Sequence, residues 1–127
     1  MTIVEYQEQV KAHLISSSVV TSMQVVKERD ELMDGHLRMR LTSTDDSRLE
    51  FSEYLVRQAD KMVTIKVYSY HWTDAYHKLI RRWDNALHNP TLPGAPHHIH
   101  EGSEENVLPG NPIDIYQVLD IIAQEIS

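Results

Sequence analysis

The sequence predicts an α+β fold: an antiparallel meander of four to five strands packed by an N-terminal and a C-terminal helix, as a single domain over 1–127. Three observations carry that expectation. Apolar residues recur at helical spacing at both ends, they alternate with polar residues through the middle, and turn-forming clusters separate the alternating runs. Over 2–15, Ile3, Tyr6, Val10 and Leu14 are spaced by three and four, with Glu5 and Glu8 early and Lys11 and His13 late, as the helix dipole favours. The β-branched stretch over 19–26 predicts a first strand. Leu37, Met39 and Leu41 then alternate with Arg38, Arg40 and Thr42, which predicts a second. Asp34 and Gly35 are expected to turn the chain between them. Asp45, Asp46 and Ser47 precede a third strand over 48–56, and residues 58–61 precede a fourth over 63–72. A turn over 73–76 leads to a fifth strand over 78–84.

All five prolines and three of the four glycines fall between Asn89 and Pro112, so an irregular loop is expected there rather than helix or central strand. Asn111 followed by Pro112 reads as a helix start. Ile115, Val118, Leu119, Ile122 and Ile126 mark the apolar face of the C-terminal helix that follows, which should cover the sheet.

The composition excludes several classes of function. With 127 residues, 41% of them hydrophobic and 24% charged, the chain has the balance of an ordinary globular domain. No apolar run suits a membrane span or a secretory signal, so no membrane association is expected and the location is expected to be cytoplasmic. The absence of cysteine excludes disulfides, a thiol nucleophile and thiolate metal sites. The net charge of −7 argues against an extended non-specific grip on nucleic acid, but the charge is uneven. Residues 1–75 carry −3 and residues 101–127 carry −6, whereas residues 76–100 hold Lys78, Arg81 and Arg82 against Asp84, together with five of the eight histidines. No Gly-rich phosphate loop, nucleophile elbow or zinc-finger spacing occurs.

The segment over 81–100, RRWDNALHNPTLPGAPHHIH, is therefore the densest in groups suited to proton transfer. Two readings of it compete. His98 and His100, two apart on an extended backbone, point to one side, and His88 or Asp84 would complete a metal site. Metal-free general acid–base catalysis needs less special geometry: a histidine exchanges a proton near neutral pH while an arginine stabilises charge developing on phosphorus. We expect the latter, with no metal and no cofactor. On the fourth strand, alternation predicts Val63, Ile65, Val67, Ser69 and His71 facing inward. Lys66, Tyr68, Tyr70 and Trp72 would then share the other face, where the aromatics either stack bases or pack under a helix, with packing favoured. Glu53 shares the inward parity of Leu49, Phe51 and Leu55, and Arg81 is its expected ion-pair partner.

The strings YSYHW (68–72), LIRRWDNALH (79–88) and PHHIH (96–100) resemble the TumE family of bacterial and archaeal toxins of type II toxin–antitoxin pairs. SSVV (17–20), GHLRMRL (35–41), LEFSEYLV (49–56) and ENVLP (105–109) extend the resemblance over most of the chain. The family-like positions are Arg82, Asp84, Asn85, His88, Pro96, His97, His98 and His100. Trp83, Leu87 and Asn89 depart from the pattern. The resemblance implies a small toxin that acts as an endoribonuclease, takes RNA as substrate and is neutralised by an adjacent, DNA-binding antitoxin. A homodimer is compatible with it. On that basis Arg82, Asp84, His88, His98 and His100 are expected to be catalytic, and Lys66, Tyr70, Arg81 and His97 to bind substrate. The competing reading is a non-enzymatic binding module whose histidine-rich loop meets a protein partner.

Overall fold

A computed structural model describes residues 1–86 and 92–127. Helix α1 (Ile3–Ser16) starts at Thr2, whose hydroxyl accepts from Glu5 N while the Glu5 carboxylate accepts from Thr2 N, a reciprocal cap that occupies two otherwise orphan donors. Seven strands follow: β1 (Val20–Asp30), β2 (Asp34–Ser43), β3 (Arg48–Arg57), β4 (Val63–Thr73), β5 (Leu79–Asp84), β6 (His98–Glu101) and β7 (Val107–Pro109). They form one antiparallel sheet in the order β1-β2-β3-β4-β5-β6-β7, and helix α2 (Ile115–Ile126) ends the chain. None of the described helices is long and apolar enough to cross a membrane.

The α+β class and the meander are as expected, but the sheet has seven strands rather than four to five. The two additional strands lie in the stretch that proline and glycine had marked as irregular. Proline breaks a ladder only where an N–H must donate, and here Pro96 precedes β6 while Pro109 ends the edge strand β7. The β1–β2 connection is residues 31–33, and Asp34 and Gly35 belong to β2. Gly35 serves packing rather than turning, since a Cβ there would collide with the Ile3 side chain and Arg29 O. Helix α2 is capped by Asp114 with Gln117, not started at Asn111 and Pro112.

Both helices lie on one face of the sheet. Val10 and Leu14 of α1 and Ile115, Val118, Leu119 and Ile122 of α2 are buried against Leu37, Met39, Leu41, Leu49 and Phe51. Tyr68, Tyr70 and Trp72 of β4 and Trp83 of β5 complete this core. The aromatic stripe is thus packing. Its parity is opposite to that of Ile65, which also leans on the core, because the β3–β4 register steps from Tyr54↔Val67 to Leu55↔Ile65 and leaves Lys66 as the extra residue of a bulge. That one residue turns Val67, Ser69 and His71 to the opposite face, where strict alternation had placed them inward.

Glu53 is fully buried, as expected, but its partner is not Arg81. Tyr6 Oη donates to Glu53 Oε1 at 2.8 Å and Tyr70 Oη to Oε2 at 2.6 Å. Arg81 lies over the Trp83 ring and pairs with Glu101 and with Glu125 of α2. The register explains this, since Arg81 sits beside Trp72 whereas Glu53 sits beside Tyr68.

Candidate functional site

The sheet face away from the helices is open, and its polar side chains converge at the β4–β5–β6 corner. Two adjacent rungs build the site: His71↔Arg82↔His100 and Ser69↔Asp84↔His98. Because Arg82 and Asp84 are two apart on β5, and His98 and His100 two apart on β6, all four side chains leave the same face. Asp84, His98 and His100 are only 5%, 3% and 5% exposed, so each polar atom there has to be satisfied within the protein.

The contacts form a closed circuit. His98 Nδ1 meets Pro96 O at 2.9 Å and His98 Nε2 lies 2.6 Å from Asp84 Oδ1. Ala86 N donates to that same carboxylate oxygen, and Arg82 Nε donates to Asp84 Oδ2 at 2.9 Å. The Arg82 Nη2 group reaches His100 Nε2 at 3.0 Å, while His100 Nδ1 lies 2.8 Å from Glu104 O. An arginine only donates and a carbonyl only accepts, so the His100 ring proton sits on Nδ1 and its Nε2 lone pair faces Arg82. Glu104, in the exposed β6–β7 turn, closes the mouth with its carboxylate 2.8 Å from Arg82.

Beside this circuit is a pocket of about 280 Å³ lined by Arg38, Ser52, Ser69, His71 and Arg82. Partial burial, then the neighbouring Arg82 guanidinium, hold the His71 imidazole below the ordinary histidine value. His71 is therefore a proton acceptor at neutral pH, with an anion-binding guanidinium next to it.

The same corner has the donor set for a divalent cation: Asp84, His98 and His100 offer atoms that all lie within 4.8 Å of one another. Backbone carbonyls steady both imidazoles, as they do in many metal-ligating histidines. The Arg82 guanidinium, however, already places a positive charge against both Asp84 and His100, and a cation would have to displace it.

The expected catalytic residues Arg82, Asp84, His98 and His100 thus come together, while His88 lies outside the described residues. The expected substrate-binding residues do not join them. Tyr70 is buried under the helices with its hydroxyl on Glu53, and Arg81 faces α2. His97 stacks on Tyr68, its Nδ1 2.8 Å from the Tyr68 hydroxyl. Lys66 is exposed at the bulge, where its carbonyl accepts from Asn85 Nδ2 while Asn85 Oδ1 accepts from Tyr68 N. His71 and Ser69 were the residues missing from the expected set.

The family model for Toxin TumE matches residues 10–127. The chain belongs to the TumE toxin family. It is accordingly a toxin of a toxin–antitoxin system, and a cognate antitoxin is its partner. No curated protein and no solved structure matches the chain. The TumE match spans every strand of the sheet, and so includes both rungs of the corner.

Proposed function

We propose that this TumE-family toxin is an endoribonuclease that cleaves RNA by general acid–base catalysis at the β4–β5–β6 corner. The observation that carries the reading is the rung His71↔Arg82↔His100, which sets a guanidinium between two imidazoles on one open face. In this mechanism Arg82 binds the scissile phosphate in place of Glu104. His71 Nε2 or Nδ1 takes the proton of the 2′-hydroxyl, the 2′-oxygen attacks phosphorus, and the bond from phosphorus to the 5′-oxygen breaks. When the phosphate draws the Arg82 guanidinium off it, His100 Nε2 takes up a proton from solvent and passes that proton to the departing 5′-oxygen, while its Nδ1–H stays on Glu104 O. Asp84 and His98 touch no substrate in this scheme; they hold Arg82 and the β6 backbone in place. His71 is given the proton-accepting role because it lines the pocket and its environment favours the neutral form. The antitoxin that neutralises the toxin is proposed to carry the DNA-binding domain of the pair.

Purified protein should cleave single-stranded RNA in excess EDTA and leave 2′,3′-cyclic phosphate or 3′-phosphate ends, because the internal 2′-hydroxyl is the nucleophile. DNA of the same sequence should remain intact. Cleavage of DNA, or activity abolished by chelator and restored by zinc or manganese, would contradict this mechanism and move the chemistry to the Asp84, His98 and His100 donor set.

A further inference from the structure

The net charge of −7 conceals a separation of charge by face. Cross-strand partners share a face, and the registers place Lys27, Arg29, Arg38, Arg40, Arg48 and Arg82 on the open face, half of the twelve basic side chains. Only three strand carboxylates among the described residues share that face: Asp34, Glu50 and Asp84. Asp34 is engaged by Arg29 and Asp84 by Arg82. Most acidic groups lie instead at the helix side and in the turns.

Glu50 organises the remainder. Its Oε1 accepts from Arg38 Nε at 3.1 Å and from Arg40 Nε at 3.3 Å, with both guanidinium groups still largely exposed. Arg38 is thereby held at the 280 Å³ pocket beside His71 and Arg82, and Arg40 at a second, larger pocket of about 510 Å³. The second pocket also takes in Arg48, whose Nη1 lies 2.9 Å from His77 Nε2, and Gln24 of β1. Glu50 lines both pockets, so they adjoin. No process described above uses the larger one. From Arg82 on β5 to Arg40 on β2 is three strand spacings, roughly 14 Å at ~4.8 Å each. That is too far for a single phosphate and suits a second phosphate of the same strand.

We propose that Arg40 and Arg48 form a remote phosphate subsite that grips the backbone of single-stranded RNA a few nucleotides from the bond cleaved at Arg82. The inference rests on the ribonuclease reading for the identity of the ligand. The grip is mainly electrostatic: Tyr68, Tyr70 and Trp72 of β4 are turned into the core, among the described residues the pocket lining holds no Phe, Tyr or Trp, and its one imidazole, His77, is engaged by Arg48. The polarity of the face also accounts for how an acidic protein takes a polyanion.

The test separates gripping from cleavage. Binding of a fluorescein-labelled, fully 2′-O-methylated 12-nucleotide RNA, which has no free 2′-hydroxyl, is followed by anisotropy for the wild type, Arg40→Gln, Arg48→Gln and the double variant. Lys61→Gln, at an exposed lysine of the β3–β4 turn, is the control. The double variant should bind at least about tenfold more weakly, and its slope of log affinity against log salt should be shallower by about 0.7, the share of the one phosphate the subsite holds. The control should match the wild type. In cleavage, the double variant should raise KM for a 12-nucleotide RNA with kcat unchanged, and should leave dinucleotide cleavage unaltered. Unchanged anisotropy and salt slope would overturn the subsite whether or not the protein cleaves RNA. Equal losses on the dinucleotide and the long RNA would overturn its remoteness. Absence of cleavage with the binding difference intact would overturn the ribonuclease reading and leave the subsite standing.

Discussion

His71 and Glu53 show how face and neighbours set the behaviour of a side chain. Glu53 is a carboxylate inside the helix-side core, and burial raises its pKa against the opposing effect of the Tyr70 and Tyr6 hydroxyls. A raised carboxylate costs stability as pH rises from the unfolded value through the folded one, because the unfolded chain then ionises more readily. Glu53→Gln should therefore flatten that part of the pH–stability curve and leave the protein folded, its amide still meeting both tyrosines. Glu53→Leu leaves two buried hydroxyls without an acceptor and should cost about 2–4 kcal/mol in chemical denaturation. His71 has the opposite sense: its pKa is lowered by burial first and by Arg82 second. The acid limb of kcat/KM should therefore level off at a lower pH than an ordinary histidine would give. Replacing Arg82 with Ala should move the His71 titration, followed by NMR, upward. A His71 pKa unmoved by that substitution would remove Arg82 as its neighbour in solution. Residue identities in the 81–100 segment were legible from composition alone, since polar, histidine-rich chemistry concentrates there. His71 was not legible, because its face depends on a bulge whose only local sign is the change from Ile65 to Lys66 and Val67.

Among the elements, β4 decides the layout of the site. Without the Lys66 bulge, the parity that keeps Ile65 on the core would carry Ser69 and His71 into it and turn the three aromatics outward. Asn85 stabilises the bulge by bridging Lys66 O and Tyr68 N, two backbone groups that flank it. Asn85→Ala should lower stability by about 1–2 kcal/mol and reduce cleavage more than a surface substitution does, by loosening the position of His71. A variant with full activity and an unchanged melting temperature would show that the bulge needs no such bridge. The helices, β2 and β3 were legible from their apolar periods, and β1 from its β-branched run, with turn-forming clusters marking the limits of the strands. The pair β6 and β7 was not: three and four residues cannot display a period, and the surrounding prolines signal a loop although only their N–H positions matter. The ion pair assigned to Glu53 and Arg81 failed because register, which sequence leaves open, sets those residues on different rungs.

At the scale of the whole molecule, one side of the sheet is a helix-covered core and the other an open, basic, histidine-bearing surface. Net charge averages over that polarity, so the −7 of the whole chain does not describe the open face. Membership in the TumE family predicts that expression of the chain alone in a bacterium slows growth and that its cognate antitoxin restores it; equal growth at verified protein levels would contradict the toxin role. Glu104 occupies the guanidinium that the mechanism assigns to phosphate, and its carboxylate is exposed. Glu104→Gln should tighten RNA binding several-fold at low salt, an effect that disappears as salt screens the pair. The most direct test of the central claim, that the rung His71↔Arg82↔His100 cleaves RNA, is to measure the single-turnover cleavage rate and the melting temperature together for His71→Ala, Arg82→Ala and His100→Ala in excess EDTA. The expected result is a loss of roughly 10²-fold or more in rate for each, with every variant still folded at the assay temperature. Folded variants that cleave at the wild-type rate would contradict it.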